Sequence, residues 1–375
     1  MFIAPFGVEI WMNEWETKCE LNLAETCVES LTLRQLLDLA GRNDESLSEL
    51  LPMKLTYGAI EGSDRLRGAI AGLYERQGPG NVLVTHGTIG ANSLVHRALV
   101  GPGDRVVSVV PTYQQHTAIP ESLGAEVLPL RLREEDGWLP DLRELRALAT
   151  PGTRLIALTN PNNPTGALIG RPMLEEIAAI AREAGAWVLA DEVYRGTDQE
   201  GPGTTASVAD LYERGISTGG MSKAFSLAGL RLGWVVAPRE VLDAVLVHRD
   251  YDTISVGMLD DHFAALALES AEAVLARSRL ITRGNLATLA AWVEGEPLIS
   301  WVRPRSGTTA LLRCGLPTPS RELCVELLRE TGVMLTPGSA MGMEGYLRIG
   351  YANAPEVLRE GLARMSGFLA RHRCR

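Results

Sequence analysis

Aromatic residues make up only 5% of the 375-residue chain, and no uncharged apolar stretch reaches the roughly 18–20 residues that a membrane-spanning helix needs. No membrane association is expected. Basic runs are also missing: 36 Lys plus Arg stand against 46 Asp plus Glu, a formal charge of −10. Such a surface repels phosphate backbones, so no nucleic-acid partner is expected. The opening MFIAPFGVEIWMNEWETK has no basic leader, and Glu9, Glu14 and Glu16 interrupt its apolar run, which argues against a signal peptide or anchor. Cysteine is sparse. Cys19, Cys27, Cys314, Cys324 and Cys374 are odd in number and show no Cys-x-x-Cys spacing, as expected of reduced thiols in a cytoplasmic protein. The six histidines are scattered, without a His-Glu-x-x-His or a Cys/His cluster, so no zinc site is expected.

What is present is a globular composition, 46% apolar and 22% charged, long enough for one large or two ordinary domains. Apolar β-runs alternate with helix-length amphipathic stretches through the middle of the chain. NVLVTHG (81–87) precedes a helical run to about Val100. EVLPLRL (126–132), TRLIALTN (153–160), AWVLADEV (186–193), GISTGG (215–220) and RLGWVVAP (231–238) continue the series, with a helix predicted over 171–186. This repetition, with short Gly/Pro/Asn joints, predicts an α/β layer built on a mostly parallel sheet flanked by helices. After about Met258 a long helical stretch to Trp292 leads into short strands (LISWVRP, GTTALLRC, GYLRIGYA) mixed with helices, which predicts a smaller α+β domain. Parallel sheets bind ligands at the carboxyl ends of their strands, where most of the motifs below fall.

In GMSKAFSLAGLRLGW (220–234) a single lysine, Lys223, sits among small and apolar residues. It is either a desolvated amine of lowered pKa, fit to form a Schiff base, or an ordinary loop lysine. Arg231 follows eight residues later; buried, it requires an anion, and phosphate matches its planar fork. Asp191, at the end of VLAD, can hold a heteroaromatic nitrogen protonated or simply cap a helix. Tyr194 offers a phenol to a phenolate oxygen, or packs at the sheet edge. Asn163, in the turn TNPNNPTG (159–166), supplies a donor and an acceptor. In THGTIGAN (85–92) the backbone N–H groups of Gly87, Thr88 and Ile89 open a helix and can hold a phosphate. Tyr113, in PTY (111–113), can stack on a flat ring or fill core.

Together these ask for one planar ligand with a phosphate, a phenolic oxygen, a ring nitrogen and an aldehyde. Pyridoxal 5′-phosphate has all four. In order and spacing the motifs resemble the class I/II aminotransferases, pyridoxal-phosphate enzymes of fold type I, over nearly the whole chain. The resemblance implies that Lys223 is the Schiff-base lysine and catalytic base, Arg231 the phosphate clamp and Asp191 the partner of the ring nitrogen. Tyr194 and Asn163 would bond the phenolic oxygen, and Tyr113 would stack on the ring. Thr88 and Ile89, beside Gly87, would cup the phosphate, with Ser222 adding a hydroxyl. LTYGAIEGSDRLR (55–67) is similar to the segment whose tyrosine reaches the partner's phosphate, which makes Tyr57 a ligand in trans and the protein a homodimer. GYLRIGYA (345–352) resembles the segment that grips the substrate carboxylate, through Arg348. The implied division is an N-terminal segment (1–42) covering the active site and joining the small domain, a large cofactor domain (43–257) and a small C-terminal domain (258–375).

Two departures stand out. Gly220 occupies a place where the family often has a phosphate-binding serine, and Thr218 is a candidate to compensate. LNLAETCVES (21–30) puts Ala24 and Thr26 in the glycine places and Val28 in the proline place of the substrate mouth, so Thr26 is a candidate substrate contact. Glu9, Glu14, Glu16 and Glu25 cluster in the covering segment; one of them meets a cationic substrate side chain, or they form a solvated acidic face. Cys27 is read as a buried structural thiol. Transamination of an amino acid with a keto acid is the expected reaction. β-Elimination as in carbon–sulfur lyases, or decarboxylation or oxidative deamination in natural-product tailoring, share its first steps and stay open.

Overall fold

The computed structural model describes residues 2–373, so Cys374 lies outside them; the other four cysteines are free thiols. Seven strands form the large sheet: β1 (Val82–His86), β2 (Arg105–Val110), β3 (Glu126–Arg131), β4 (Thr153–Thr159), β5 (Trp187–Asp191), β6 (Gly215–Gly220) and β7 (Leu232–Val236). Their order is β1-β7-β6-β5-β4-β2-β3. Only β7 runs against its neighbours, so the sheet is mostly parallel, as the alternation of motifs predicts.

The central strands read as unbroken apolar runs because helices cover both faces. Ile156 and Leu158 of β4 pack with Leu174 and Ile177 of the helix α3 (Arg171–Ala184) on one face. Leu155 points the other way, into a cluster with Leu94 and Val95 of α2 (Gly87–Leu99). α3 carries its apolar residues at helical spacing, has Pro172 in its first turn, and ends at Gly185 with φ 72°, a left-handed conformation that glycine adopts without strain. Pro129 lies in β3, at the sheet edge, where no outer partner requires its missing N–H.

A smaller antiparallel sheet, β8 (Ile299–Trp301), β9 (Thr309–Cys314), β10 (Thr336–Pro337) and β11 (Tyr346–Gly350), has the order β10-β11-β9-β8. Helices α4 (Ala271–Gly295), α5 (Ser320–Thr331) and α6 (Pro355–Arg373) pack on it through Leu286, Leu289, Leu327 and Leu362. The single helical stretch expected from Met258 to Trp292 is two helices, Met258–Glu269 and α4, separated at Ser270. The break lets them serve different cores: Ala264 and Leu268 join the large-sheet side, whereas Leu286, Leu289 and Val293 join the small sheet.

The N-terminal helix α1 (Gly7–Trp15) ties the two sheets together. Trp11 is fully buried in the small-sheet cluster, and its Nε1 donates to Leu335 O at 2.8 Å. From the other side, Gly7 N donates to Gln114 Oε1 at 2.9 Å, and Gln114 Nε2 donates to Pro5 O at 2.9 Å. Gly7 has to be glycine, since a Cβ there would lie 2.5 Å from Ala340 O. The chain then runs along β11, with Gly350 N donating to Leu23 O at 2.7 Å. These anchors hold α1 and residues 24–27 over the carboxyl ends of β4, β5 and β6.

Candidate active site

A cavity of about 330 Å³ opens at that end of the sheet. Its floor carries Asp191 at the end of β5, Asn163 after β4 and Lys223 after β6, while Gly87, Thr88 and Ile89 enter from the start of α2. Tyr113, Tyr194, Ser222, Arg231, Thr26 and Arg348 line it as well. Thus residues spread over more than 300 positions meet in one place. Tyr57 does not join them in its own chain; it is 76% exposed.

Asp191 is buried and fixed from three directions. Asn92 Nδ2 donates to its Oδ2 at 2.8 Å, Val193 N donates to Oδ1 at 3.1 Å, and His116 Nε2 lies 3.6 Å from Oδ2. Asn92 is itself held, its Oδ1 accepting from Thr218 Oγ1 at 2.6 Å. Thr218 is therefore spent on Asn92 and does not compensate for Gly220 at a phosphate.

Lys223 differs from expectation. Its Nζ donates to Thr26 Oγ1 at 2.7 Å and to Cys27 Sγ at 3.4 Å, with Glu25 Oε1 at 3.8 Å. Burial by itself lowers the amine's pKa, but Cys27, Tyr194 and Glu25 outweigh it and the free amine is pushed up, not down. The counterpart is Glu25: burial favours its neutral form, yet Lys223 and the N–H groups of Cys27 and Thr26, at 2.8 and 2.6 Å, hold it at about 2. Cys27 is buried as expected, but it is no inert core thiol, since it touches the lysine. Burial pushes the thiol up to about 11. Burial raises the pKa of the Tyr194 phenol, against the opposing pull of Lys223 and Thr26.

Arg231 is exposed rather than buried, so burial does not by itself demand an anion there. Its placement carries the argument instead. Gly87 has φ 66°, and a Cβ on it would lie 3.3 Å from Arg231 Nη2, so glycine lets the guanidinium close on the first turn of α2. Arg348 is buried, with Nη1 donating to Asn163 Oδ1 at 3.2 Å, and Nη2 to Ala24 O at 3.2 Å and Thr336 Oγ1 at 3.1 Å. All three acceptors are neutral, its Nε has no partner, and burial lowers its pKa.

The class I and II aminotransferase family model matches residues 50–365. The chain belongs to that family. It is accordingly a pyridoxal 5′-phosphate-dependent enzyme of fold type I. Among curated proteins it is 33% identical to a capreomycidine synthase from Streptomyces vinaceus over 369 residues, 97% of this chain and 94% of that one. Among solved structures, a PLP-dependent aminotransferase from Streptococcus suis 89-1591 superposes with a TM-score of 0.96 at 43% identity, covering 99% of both chains. The PLP-dependent cyclase OrfR superposes with a TM-score of 0.91 at 28% identity, covering 99% of this chain and 98% of its own.

The residues present fit the cofactor. Thr88 Oγ1 is buried in the cavity wall without a partner, a donor suited to a phosphate oxygen at the N-terminus of α2. Gly220 explains itself in the same place: a Cβ there would lie 2.4 Å from Thr88 Oγ1. This aminotransferase has room for the threonine hydroxyl because the common serine is absent. Asn92 and His116 are not singled out from sequence as contacts of the site, and Glu25 is expected there only as a candidate for a cationic substrate side chain, not as a neighbour of Lys223. His116 lies three residues after Tyr113, and its backbone N–H donates to Tyr113 O at 3.1 Å in the turn that opens the helix Gln115–Ser122.

Proposed function

We propose that Lys223 carries the cofactor covalently and moves the substrate proton, in an enzyme that transfers the α-amino group of an amino acid to a keto acid. The gathering of Lys223, Asp191, Asn163, Thr88 and Arg348 around one cavity carries this reading. Bound pyridoxal 5′-phosphate supplies the carbonyl that captures an amine and the ring that accepts the electron pair left at Cα. Asp191, positioned by Asn92, would hold the ring nitrogen. Tyr194 and Asn163 would meet the phenolic oxygen, Tyr113 the ring face. Arg231, Thr88, Ser222 and the N–H groups after Gly87 would hold the phosphate.

Arg348 would take the α-carboxylate, the counter-anion that its three neutral acceptors do not provide. That contact orients Cα toward the lysine. Lys223 Nζ would take the proton from Cα and deliver it to the carbonyl-derived carbon that the cofactor supplies rather than back to Cα, with Thr26 Oγ1 at 2.7 Å steadying the amine between the two acts.

Homodimerisation belongs to the same proposal. Leu51, Leu55, Tyr57 and Tyr251 are exposed large side chains on neighbouring segments, and Gly58 packs beside Val256 and Met258. A partner covering them would bring its own Tyr57 to this phosphate site. Free thiols at Cys19, Cys27, Cys314 and Cys324 suit a reducing, cytoplasmic setting.

A second reading has a specific basis. The likeness to a capreomycidine synthase and to a PLP-dependent cyclase favours ring closure of the substrate in place of amino transfer. Anaerobic mixing of the holoenzyme with single amino acids separates the two. Lasting bleaching of the yellow colour, reversed by a keto acid, supports amino transfer. Unaided return of the colour with a new product supports elimination or cyclisation.

A further inference from the structure

Two carboxylates in the cavity have no task in the roles above. Glu9 lies in the first turn of α1 and Glu16 just beyond its last, and the helix turns both toward the cavity together with Val8 and Met12. Glu9 is half-buried and accepts from Tyr113 Oη at 2.8 Å, which leaves its second oxygen free. Among the described residues no Lys or Arg pairs with Glu9 or Glu16. Their neighbour Glu14, which does not line the cavity, pairs with Arg321 at 2.9 Å. Glu25 is already engaged by Lys223 and two backbone N–H groups.

The opposite charge is equally unmatched. Arg348 lines the same cavity, is 97% buried (3% exposed), and meets only neutral acceptors, with Nε unpartnered. A buried guanidinium with no carboxylate in contact gains from an anion supplied by a ligand, even with Glu9 and Glu25 elsewhere on the cavity wall. A ligand carboxylate at Arg348 and an amine at Lys223 fix one end of an amino acid. Its side chain then has the α1 wall left to meet, where two apolar side chains alternate with two acids.

From this pattern we infer that the substrate is an amino acid with a positively charged group at the end of an aliphatic side chain. Val8 and Met12 flank its methylenes, and Glu9 and Glu16 receive its guanidinium or ammonium head. The inference rests on the amino-acid reading above and adds the substrate class to it.

The test is an equilibrium titration of the holoenzyme, following the cofactor's visible band, with L-arginine, L-lysine, their neutral counterparts L-citrulline and L-norleucine, and L-aspartate. A cationic amino acid is expected to half-saturate at a concentration at least about tenfold below its neutral counterpart, as charge-assisted hydrogen bonds warrant. In the Glu9→Gln/Glu16→Gln protein that ratio is expected to fall to within about twofold. Calorimetry on the Lys223→Ala protein reads the same preference without turnover. Equal or tighter binding of a neutral amino acid or aspartate, or a preference that survives the double substitution, overturns the inference while leaving the enzyme reading intact. A band that no amino acid perturbs, in protein that binds the cofactor, overturns both.

Discussion

The two walls of the cavity are built on different principles. The floor consists of residues at the ends of strands in a sheet whose core is buried on both faces, so its side chains inherit the rigidity of β4, β5 and β6. The opposite wall is α1 and residues 24–27, held by a few anchors: Trp11, Gln114 and the backbone pairing along β11. On the roles proposed above, the floor serves what every reaction of this family shares, and the wall, which can vary without disturbing the sheet, serves what distinguishes one substrate from another.

Breaking the floor should have the largest effect. Lys223→Ala is expected to lower turnover by at least about 10³-fold, the scale of a lost general base, while amino-acid binding persists. Single-turnover kinetics against equilibrium binding checks it; comparable losses in both would mean that the lysine acts in binding alone.

Next comes the join between floor and phosphate site. Gly220→Ser restores the side chain common in the family, yet its Cβ would lie 2.4 Å from Thr88 Oγ1. It should destabilise by about 1–3 kcal/mol through overpacking. Adding Thr88→Ala should recover most of that loss, a coupling that denaturant unfolding of the four proteins measures.

The wall should respond more gently, and through pH. Glu25 is held at about 2, below its ordinary 4.5, so its contribution to stability is full above the higher value and lost as pH falls toward the lower. Glu25→Gln should therefore flatten the acid limb of the stability profile between about pH 4.5 and 2. Thermal melting across that window checks it, and an unchanged limb would separate Glu25 from Lys223. The smallest effect belongs outside the cavity: Glu14→Gln breaks an exposed pair with Arg321 and should change stability by less than about 1 kcal/mol.

The same division governs what could be read from sequence. Floor residues announce themselves because a strand end, a turn and a chemically suited side chain fall together, as at Asp191, Asn163 and Lys223. Six of the seven strands of the large sheet are legible for the same reason, each lying within its expected run to within two residues at either end. Wall residues are brought in by long-range packing. Nothing local reveals that Thr26 meets an amine 197 positions away, or that Asn92 meets Asp191. The lysine's environment was misjudged for that reason: its neighbours in sequence are apolar, but its neighbours in space are a thiol, a hydroxyl and a carboxylate. Thr218 faces Asn92, which only the register of β6 against β5 and α2 determines.

Locating the cofactor's covalent anchor tests the central claim most directly. The chain has three lysines, Lys18, Lys54 and Lys223, and the first two are exposed and outside the cavity. Borohydride reduction of the holoenzyme followed by peptide mass spectrometry should find the added pyridoxyl group on the peptide containing Lys223 alone. An adduct on Lys18 or Lys54, or none at all on fully loaded protein, would contradict it.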